Sequence, residues 1–198
     1  MPQVDPDIEL QIQQKPGHLI RRLQQIAFAI FMDKTREFGI TPVQYSAILA
    51  VESHPGIDQT TLCNIIAFDR STIGDVVSRL EKKKMITRRP GSADRRTKAL
   101  HVTPLGRRLL REIEPAVAAT QRLILAPLKA SERNAFMQML KRLVHINNEH
   151  SRAPMRPTAA EQRRHGAAIR STKSGRRGRS VRTRSAKDAA GGRAFADR

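Results

Sequence analysis

The sequence predicts a mainly α-helical protein that contains one small β-hairpin. Three observations predict this fold class. Apolar residues recur every three to four positions from about residue 16 to about residue 150, as they do on one face of a helix. The period becomes strand-like at residues 85–89 and 98–103. A polar, turn-rich loop separates these two segments, which is the pattern of a hairpin.

The first predicted helix follows an N-terminal arm, residues 1–15, that has no sustained apolar pattern. The helix is expected over residues 17–37 and to end at Gly39, because glycine accepts the left-handed conformation of a helix C-terminus. Its apolar positions are three or four residues apart and so share one face: Leu19, Leu23, Ile26 and Ile30.

Three helices with capping residues at their N-termini come next. Thr41 and Gln44 have the spacing of a capping box around Pro42, and Asp58 and Asp69 are expected to cap two short helices. Two short helices joined so closely predict a helix-turn-helix. Together with the hairpin that follows, residues 41–103 are predicted to form a winged helix.

Two further helices are predicted over residues 104–150, the first starting at Thr103-Pro104 and the second capped by Ser131. The first and last helices have apolar faces but lie outside the compact winged helix. If the same helices of a second chain covered these faces, the result would be a two-fold interface. The sequence therefore predicts a helical dimerisation domain built from residues 17–37 and 104–150, and a homodimer.

Positive charge is concentrated in the last quarter of the sequence. The whole chain has 37 Lys and Arg against 18 Asp and Glu, and residues 152–198 alone hold 14 of the basic and 3 of the acidic ones. This excess favours a polyanionic partner. Residues 151–198 also lack apolar periodicity, so they are expected to be a disordered basic tail.

Several functional classes are excluded by composition. A single cysteine, Cys63, can form neither an intramolecular disulfide nor a cysteine zinc site. No apolar run has the length of a membrane span, and the acidic N-terminus is unlike a signal peptide, so we expect a cytoplasmic protein. The chain has no catalytic triad or phosphate loop, and its six histidines lack metal-ligand spacing. We therefore expect no enzymatic activity, cofactor or metal.

Two motifs resemble the MarR family of bacterial transcriptional regulators. One is Asp94-Arg95-Arg96 with the run that continues to Gly106, similar to the family's wing signature; the other runs from Asp69 to Lys83, similar to its recognition helix. The resemblance covers about residues 17–148. It implies a dimer that binds double-stranded DNA at a palindromic site, since half-sites one helical turn apart match a two-fold protein.

The DNA-binding residues follow from this fold. Bases are read in the major groove by the N-terminal part of the recognition helix, where Arg70, Ser71, Thr72 and Asp75 stand, with Arg79 one turn on. Ser71 and Thr72 could instead only cap the helix. At the wing tip Arg95 or Arg96 could enter the minor groove, while the resemblance implies that Asp94 orients the loop. A mobile, solvated wing is the alternative.

A further resemblance lies in the first helix. The segment Pro16-Gly17-His18-Leu19-Ile20-Arg21-Arg22 is similar to members that regulate the breakdown of aromatic and heteroaromatic acids, including nicotinate. It implies a repressor released by such an acid, whose carboxylate needs a cation when desolvated. His18 and Arg22 lie on one edge of the apolar face and could bind it, with Arg21 pointing to solvent. A surface or intersubunit salt bridge is the alternative for both residues.

Two alternative functions remain. Cys63 could make the chain a thiol redox-sensing regulator, although its apolar neighbours favour a buried small side chain. The tail could make it a non-specific nucleic-acid-binding protein.

Overall fold

The structure, a computed structural model, describes residues 11–91 and 98–155. Its helices and strands follow the predicted order: α1 (Pro16–Lys34), α2 (Pro42–Ser53), α3 (Gln59–Ile66), α4 (Arg70–Lys82), β1 (Ile86–Pro90), β2 (Lys98–Val102), α5 (Pro104–Leu125) and α6 (Ala130–Ile146). Short 3₁₀ turns, Arg36–Phe38 and Asn148–His150, follow α1 and α6. The predicted fold class, mainly α with a small β wing, is confirmed.

The core lies where α2, α3 and α4 meet the hairpin and the first half of α5. Burying one large aliphatic side chain contributes about 1.5–3 kcal/mol, so these contacts supply most of the stabilisation. Every one of these elements contributes fully buried side chains: Ile48, Val51, Leu62, Ile73, Val77, Leu80, Ile86, Leu100 and Ile113. The helix-turn-helix is therefore packed firmly against the wing strands.

The wing is an antiparallel pair in which Ile86 lies opposite Val102 and Pro90 opposite Lys98. The turn after α2 extends this pair on its other side. The Gly56 amide donates to the Leu100 carbonyl at 2.9 Å, and the Leu100 amide donates to the Ile57 carbonyl at 2.8 Å. Gly56 has φ +84°, a conformation that glycine adopts without a Cβ clash.

Four of the five predicted N-terminal caps are confirmed: Thr41, Asp58, Asp69 and Thr103. Thr41 and Gln44 exchange the two hydrogen bonds of a capping box, with distances of 3.4 Å and 3.3 Å. Asp58, Asp69 and Thr103 each accept from a backbone amide three residues on, at the start of α3, α4 and α5. Each bond satisfies a donor that the first helical turn otherwise leaves unpaired.

Two helix ends differ from the prediction. The first helix was expected over residues 17–37, but α1 ends at Lys34, and Thr35 leaves the helical conformation with φ -112° and ψ 13°. Thr35 is buried, and its hydroxyl donates to the Phe31 carbonyl at 2.7 Å. Gly39, at φ +58°, ends the 3₁₀ turn instead. The expected cap Ser131 lies inside α6, which begins one residue earlier, where the Lys129 amide donates to the Glu132 carboxylate at 2.7 Å.

The three helices outside the winged helix, α1, α5 and α6, are called the outer helices. Two of them, α1 and α5, contact the winged helix at Tyr45. Phe31 of α1 packs on Tyr45 of α2 with ring centroids 6.1 Å apart, and the Tyr45 hydroxyl donates to Glu114 of α5 at 3.1 Å. Burial, reinforced by Glu114, raises the pKa of Tyr45, so its hydroxyl stays a donor. None of the helices within the described residues is both long and apolar enough to cross a membrane.

Candidate nucleic-acid interface and effector site

The turn between α3 and α4 is formed by residues 67–69. Ala67 has φ 55°, a left-handed conformation that ends α3 and redirects the chain within one residue. Asp69 then starts α4. The pair has the arrangement of a helix-turn-helix, with α4 in the place of the recognition helix.

The first turn of α4 is organised around the Asp69 carboxylate. It accepts from the Ser71 hydroxyl at 2.6 Å, the Thr72 amide at 2.9 Å and the Thr72 hydroxyl at 2.8 Å. These bonds, the Ser71 hydroxyl first, hold the pKa of Asp69 well below its usual range. The hydroxyl protons of Ser71 and Thr72 are therefore engaged with Asp69, which leaves the lone pairs of both oxygens as acceptors.

The two faces of α4 differ sharply. Its inner face is buried in the core through Ile73, Val76, Val77 and Leu80, while Asp75 and Arg79 are exposed on the outer face. Arg70 is also exposed, and one of its terminal nitrogens donates to the Thr60 hydroxyl at 3.2 Å. Of the five residues predicted on this helix, Ser71, Asp75 and Arg79 share the outer face, and Arg70 and Thr72 flank it at the first turn.

The wing is fastened to α4 by a residue that the sequence analysis missed. Arg88 of β1 forms an ion pair with Glu81 at 2.8 Å and lies 3.5 Å from the Ser78 hydroxyl. A period-two reading of β1 places Arg88 on the same face as buried Ile86, which is the signal that could have found it. The wing-tip residues Asp94, Arg95 and Arg96 lie outside the described residues.

Gly106, the glycine of the wing motif, has a clear packing role. A Cβ at this position would lie 2.3 Å from the Met85 carbonyl oxygen and 2.7 Å from Val102. Only glycine therefore lets α5 begin directly over the wing. Thr103 completes the junction, since its hydroxyl donates to the Lys84 carbonyl at 2.7 Å and accepts from the Gly106 amide at 3.1 Å.

The predicted effector residues lie at the start of α1. His18 is half-buried and Arg22 is exposed, beside the exposed apolar residues Leu19 and Leu23. The structure pairs these side chains differently from the prediction. Arg21, expected to point away, has a terminal nitrogen 3.4 Å from His18 Nδ1, whereas Arg22 donates to Gln25 at 3.1 Å.

Cys63 has the environment of a packing residue. It is 5% exposed and belongs to the apolar core cluster. Burial raises the pKa of its thiol, so little of the reactive thiolate is present at neutral pH. Among the described residues, His, Cys, Asp and Glu form no group that could hold a metal ion.

Known proteins share this arrangement. A family model described as the MarR family matches residues 38–97, which include the helix-turn-helix and β1, the first strand of the wing. The chain is 37% identical over 134 residues to a proposed transcriptional regulatory protein for the hcr operon of Thauera aromatica, a match that covers 67% of this chain and 81% of the relative. This chain belongs to the MarR family.

Two solved structures extend the comparison. The PcaV transcriptional regulator of Streptomyces coelicolor, in complex with its natural ligand, is 33% identical with a TM-score of 0.63; the match covers 73% of this chain and 98% of PcaV. BpsR of Bordetella bronchiseptica, whose DNA binding is regulated by 6-hydroxynicotinic acid, is 27% identical with a TM-score of 0.63, over 66% of this chain and 94% of BpsR. The chain is thus a winged-helix transcriptional regulator, and its named relatives are regulators rather than enzymes.

Proposed function

We propose that this MarR-family protein is a homodimeric repressor that binds a palindromic DNA site and is released by a small aromatic or heteroaromatic carboxylic acid. One observation carries the DNA-binding part. The recognition helix α4 buries one face completely and presents Ser71, Asp75 and Arg79 on the other, next to a wing that Arg88 fastens in place.

The outer face of α4 offers both kinds of hydrogen-bonding group. Ser71 and Thr72 accept through their oxygens, because their protons are held by Asp69. Asp75 can accept from a cytosine amino group, and Arg79 can donate to a guanine or a phosphate. Arg70, at the start of the helix, donates to the backbone that flanks these bases.

The wing completes the DNA contact in this proposal. Arg95 and Arg96 enter the minor groove beside the site, and Asp94 orients the loop that carries them. The support for this part is the fixed base of the wing, where β1 is tied to α4 through Arg88 and Glu81. Because β1 contacts α4, the wing would lie close to the DNA when α4 occupies the major groove.

The dimer accounts for the apolar surface that one chain leaves open. None of the residues of α6 is buried, and Met139, Leu143, Val144 and Ile146 are each more than half exposed. Leu19 and Ile20 of α1 are exposed to the same degree. A second copy that covers both helices gives a two-fold protein, which in turn requires a palindromic site.

The effector assignment is supported by the relatives and by the position of two side chains. PcaV was solved with its natural ligand, and the DNA binding of BpsR is regulated by 6-hydroxynicotinic acid. In this chain we assign the carboxylate to His18 and Arg22, which adjoin the exposed apolar residues of α1. Because that surface is open in one chain, the partner chain supplies the rest of the pocket.

The test begins with selection of bound duplexes from a random-sequence library by the full chain. A palindromic consensus with half-sites about one helical turn apart is expected. The selected duplex is then titrated with 6-hydroxynicotinate, nicotinate, benzoate and 4-hydroxybenzoate, with 4-hydroxybenzamide as an uncharged control. At least one acid should release the DNA, and the amide should not. Selection without a consensus contradicts the DNA proposal, and insensitivity to every acid contradicts the effector proposal.

The effector residues are tested separately. Arg22→Gln and His18→Gln should each raise the acid concentration needed for half-release by about tenfold, the effect of a lost charge-assisted bond. Arg21→Gln is a third test variant, since it removes the same charge one residue away and its side chain lies 3.4 Å from His18 Nδ1. Arg108→Gln, at an exposed position of α5, is the matched control. Should Arg21→Gln have the large effect and Arg22→Gln none, the carboxylate contact belongs to Arg21 and our assignment is wrong.

A further inference from the structure

The loop that follows α6, residues 148–155, is closed on itself by hydrogen bonds. The Asn148 side chain donates to the Met155 carbonyl at 3.1 Å and accepts from the Met155 amide at 2.9 Å. One side chain at the start of the loop thus binds both polar backbone groups at its end. Arg152, in the middle of the loop, is therefore carried by a segment whose two ends are held together.

This loop faces the helix-turn-helix across a cleft of about 340 Å³. Arg152 and the two residues after it line one side of the cleft. The other side contains residues of α3, of the turn and of the start of α4, among them Thr60, Asn64, Phe68, Asp69 and Arg70. The loop therefore brings Arg152 to the same cleft as Arg70, which is a predicted DNA-binding residue.

The carboxylate in this cleft belongs to Asp69, and it is already occupied. It accepts three hydrogen bonds from Ser71 and Thr72. Among the described residues, neither Arg70 nor Arg152 forms an ion pair. The two guanidinium groups therefore line the cleft without a paired counter-charge.

Both arginines have hydrogen-bond donors to spare. Arg70 uses one terminal nitrogen, which donates to the Thr60 hydroxyl at 3.2 Å. Arg152 is exposed, and it donates to no other residue in the described part of the chain. A guanidinium presents its donors in a planar fork that matches the oxygens of a phosphate. Because two like charges repel each other unless an anion lies between them, this cleft favours a phosphate group.

We propose that Arg152 and Arg70 together bind one backbone phosphate of the DNA, so that the 148–155 loop is a DNA-contacting element besides the winged helix. The proposal rests on the DNA binding proposed above, in which Arg70 donates to the backbone. The phosphate is one of DNA because the cleft is lined by the first residues of α4, the part of a recognition helix that reaches the bases. Since the loop follows α6, it joins the outer helices directly to the DNA.

The test replaces single phosphates of the selected duplex by uncharged methylphosphonates, one position at a time. Four full-length proteins are compared: the wild type, Arg152→Gln, Arg152→Lys and Arg122→Gln. Arg122 is the matched control, because it is exposed and lies about 27 Å along α5 from Pro104, at the end remote from the wing. Affinities are measured from about 50 to 400 mM salt. Melting temperatures should be the same for all four proteins, since both arginines are exposed.

In the wild type, one methylphosphonate in each half-site, beside the bases contacted by the start of α4, should weaken binding about tenfold. Arg152→Gln should bind the unmodified duplex about five- to tenfold more weakly, and the slope of log affinity against log salt should fall by about one. It should also lose most of its sensitivity to that methylphosphonate. Arg152→Lys keeps the charge and should keep the slope, and Arg122→Gln should behave as the wild type.

Arg70→Gln and the double variant with Arg152→Gln test whether the two arginines share one phosphate. Two contacts with the same group are coupled, so the double variant should lose less affinity than the product of the two single losses. Arg70→Gln should also lose sensitivity at the same methylphosphonate as Arg152→Gln. If the two variants lost sensitivity at different phosphates, the shared site would be wrong.

Two further results would overturn the proposal. Arg152→Gln could keep the affinity, the salt slope and the methylphosphonate pattern of the wild type, which would separate the loop from the DNA. Alternatively, inorganic phosphate could bind the wild type but not Arg152→Gln, while both give the same methylphosphonate pattern, which would make this a site for a free anion. In either case the wild type would still select a consensus, whereas failure of DNA reading by α4 would leave every variant without one.

Discussion

The winged helix and the outer helices differ in how completely one chain covers their apolar side chains. In the winged helix, Ile48, Leu62 and Leu80 are fully buried. In α6, by contrast, Leu143 and Val144 are 54% and 55% exposed. The winged helix therefore completes its core within one chain, whereas the outer helices leave an exposed apolar face, which the second copy of the proposed dimer would cover.

This difference suggests how an effector could act. The two halves are joined by polar contacts of α5 with α2, namely Tyr45 with Glu114 at 3.1 Å and Glu52 with Arg107 at 2.8 Å. Under the proposed function, a ligand bound between the outer helices would change the position of the winged helix through these contacts. It need only prefer one spacing of the two recognition helices to change DNA affinity, by its differential affinity for the two states.

The largest expected effect is a loss of stability at Gly106, where α5 packs on the wing. Gly106→Ala places a Cβ 2.3 Å from the Met85 carbonyl oxygen, a backbone atom that cannot move cheaply. We expect the free energy of unfolding to fall by about 2–4 kcal/mol, as for overpacking with a backbone shift. Thermal or urea unfolding measures it.

Gly17→Ala is the control for that change. It lies in α1 with nothing within 4 Å of the added Cβ. Alanine favours helix by up to about 1 kcal/mol, so this variant should be as stable as the wild type or slightly more stable. If the two variants lost equal amounts of unfolding free energy, this would contradict the difference between a tightly packed winged helix and an exposed α1.

The next largest effect is expected at the exposed apolar face of α6. Leu143→Glu puts a charge on the exposed face of α6. Because Leu143 is 54% exposed in one chain, the change should leave the stability of the single chain almost unaltered. The dimer dissociation constant should rise about 100-fold or more, as expected when a charge replaces an apolar residue in an interface. Sedimentation measures it, with Gln138→Glu on the same helix as a control. An unchanged dimer would show that α6 is covered by something other than a second copy.

These two predictions also show what the sequence could and could not predict. Caps such as Thr41, Asp58 and Asp69 act within three residues, so local patterns identified them and with them the helix-turn-helix. The end of α1 was misplaced because burial of Thr35 is a tertiary effect. The contact of Arg88 with Glu81 was missed because it joins two elements.

The effector residues illustrate the same limit. Helical spacing placed His18 and Arg22 on one edge of α1, but spacing does not determine which of two neighbouring arginines turns towards the histidine. The structure pairs His18 with Arg21. For the outer helices the sequence showed apolar faces that must be covered, and one chain of the structure leaves them exposed.

A smaller effect concerns the cap of the recognition helix. Hydrogen bonds from Ser71 and Thr72 lower the pKa of Asp69, so the folded state favours the ionised carboxylate. The stability it contributes is therefore present above the unfolded pKa of about 3.9 and is lost as pH falls below it. The difference in melting temperature between wild type and Asp69→Asn should be constant from pH 7 to about pH 5 and shrink below about pH 4. A difference that grows in acid would contradict this role.

The smallest effect on stability is expected at the wing. Arg88→Gln breaks an ion pair whose partners are each 30% exposed, which should cost less than about 1 kcal/mol of unfolding free energy. DNA affinity should fall by a larger factor than stability does, because the wing loses its ion pair with α4 while the buried Ile86 and Leu100 keep the strands packed on the core. Lys98→Gln, on the other strand of the wing, is the comparison. If Arg88→Gln bound DNA as tightly as the wild type, the contact between the wing and α4 would have no role in DNA binding.

The central claim is that the outer face of α4 reads the DNA sequence, and a comparison of selected consensus sequences tests it most directly. Duplexes are selected from one random library by the wild type, by Asp75→Asn and by Glu112→Gln, which removes the same charge from an exposed position of α5. Asp75→Asn should relax or change the preference at one base pair in each half-site, by about 1–3 kcal/mol, and Glu112→Gln should leave the consensus unchanged. Identical consensus sequences for all three proteins would contradict the claim.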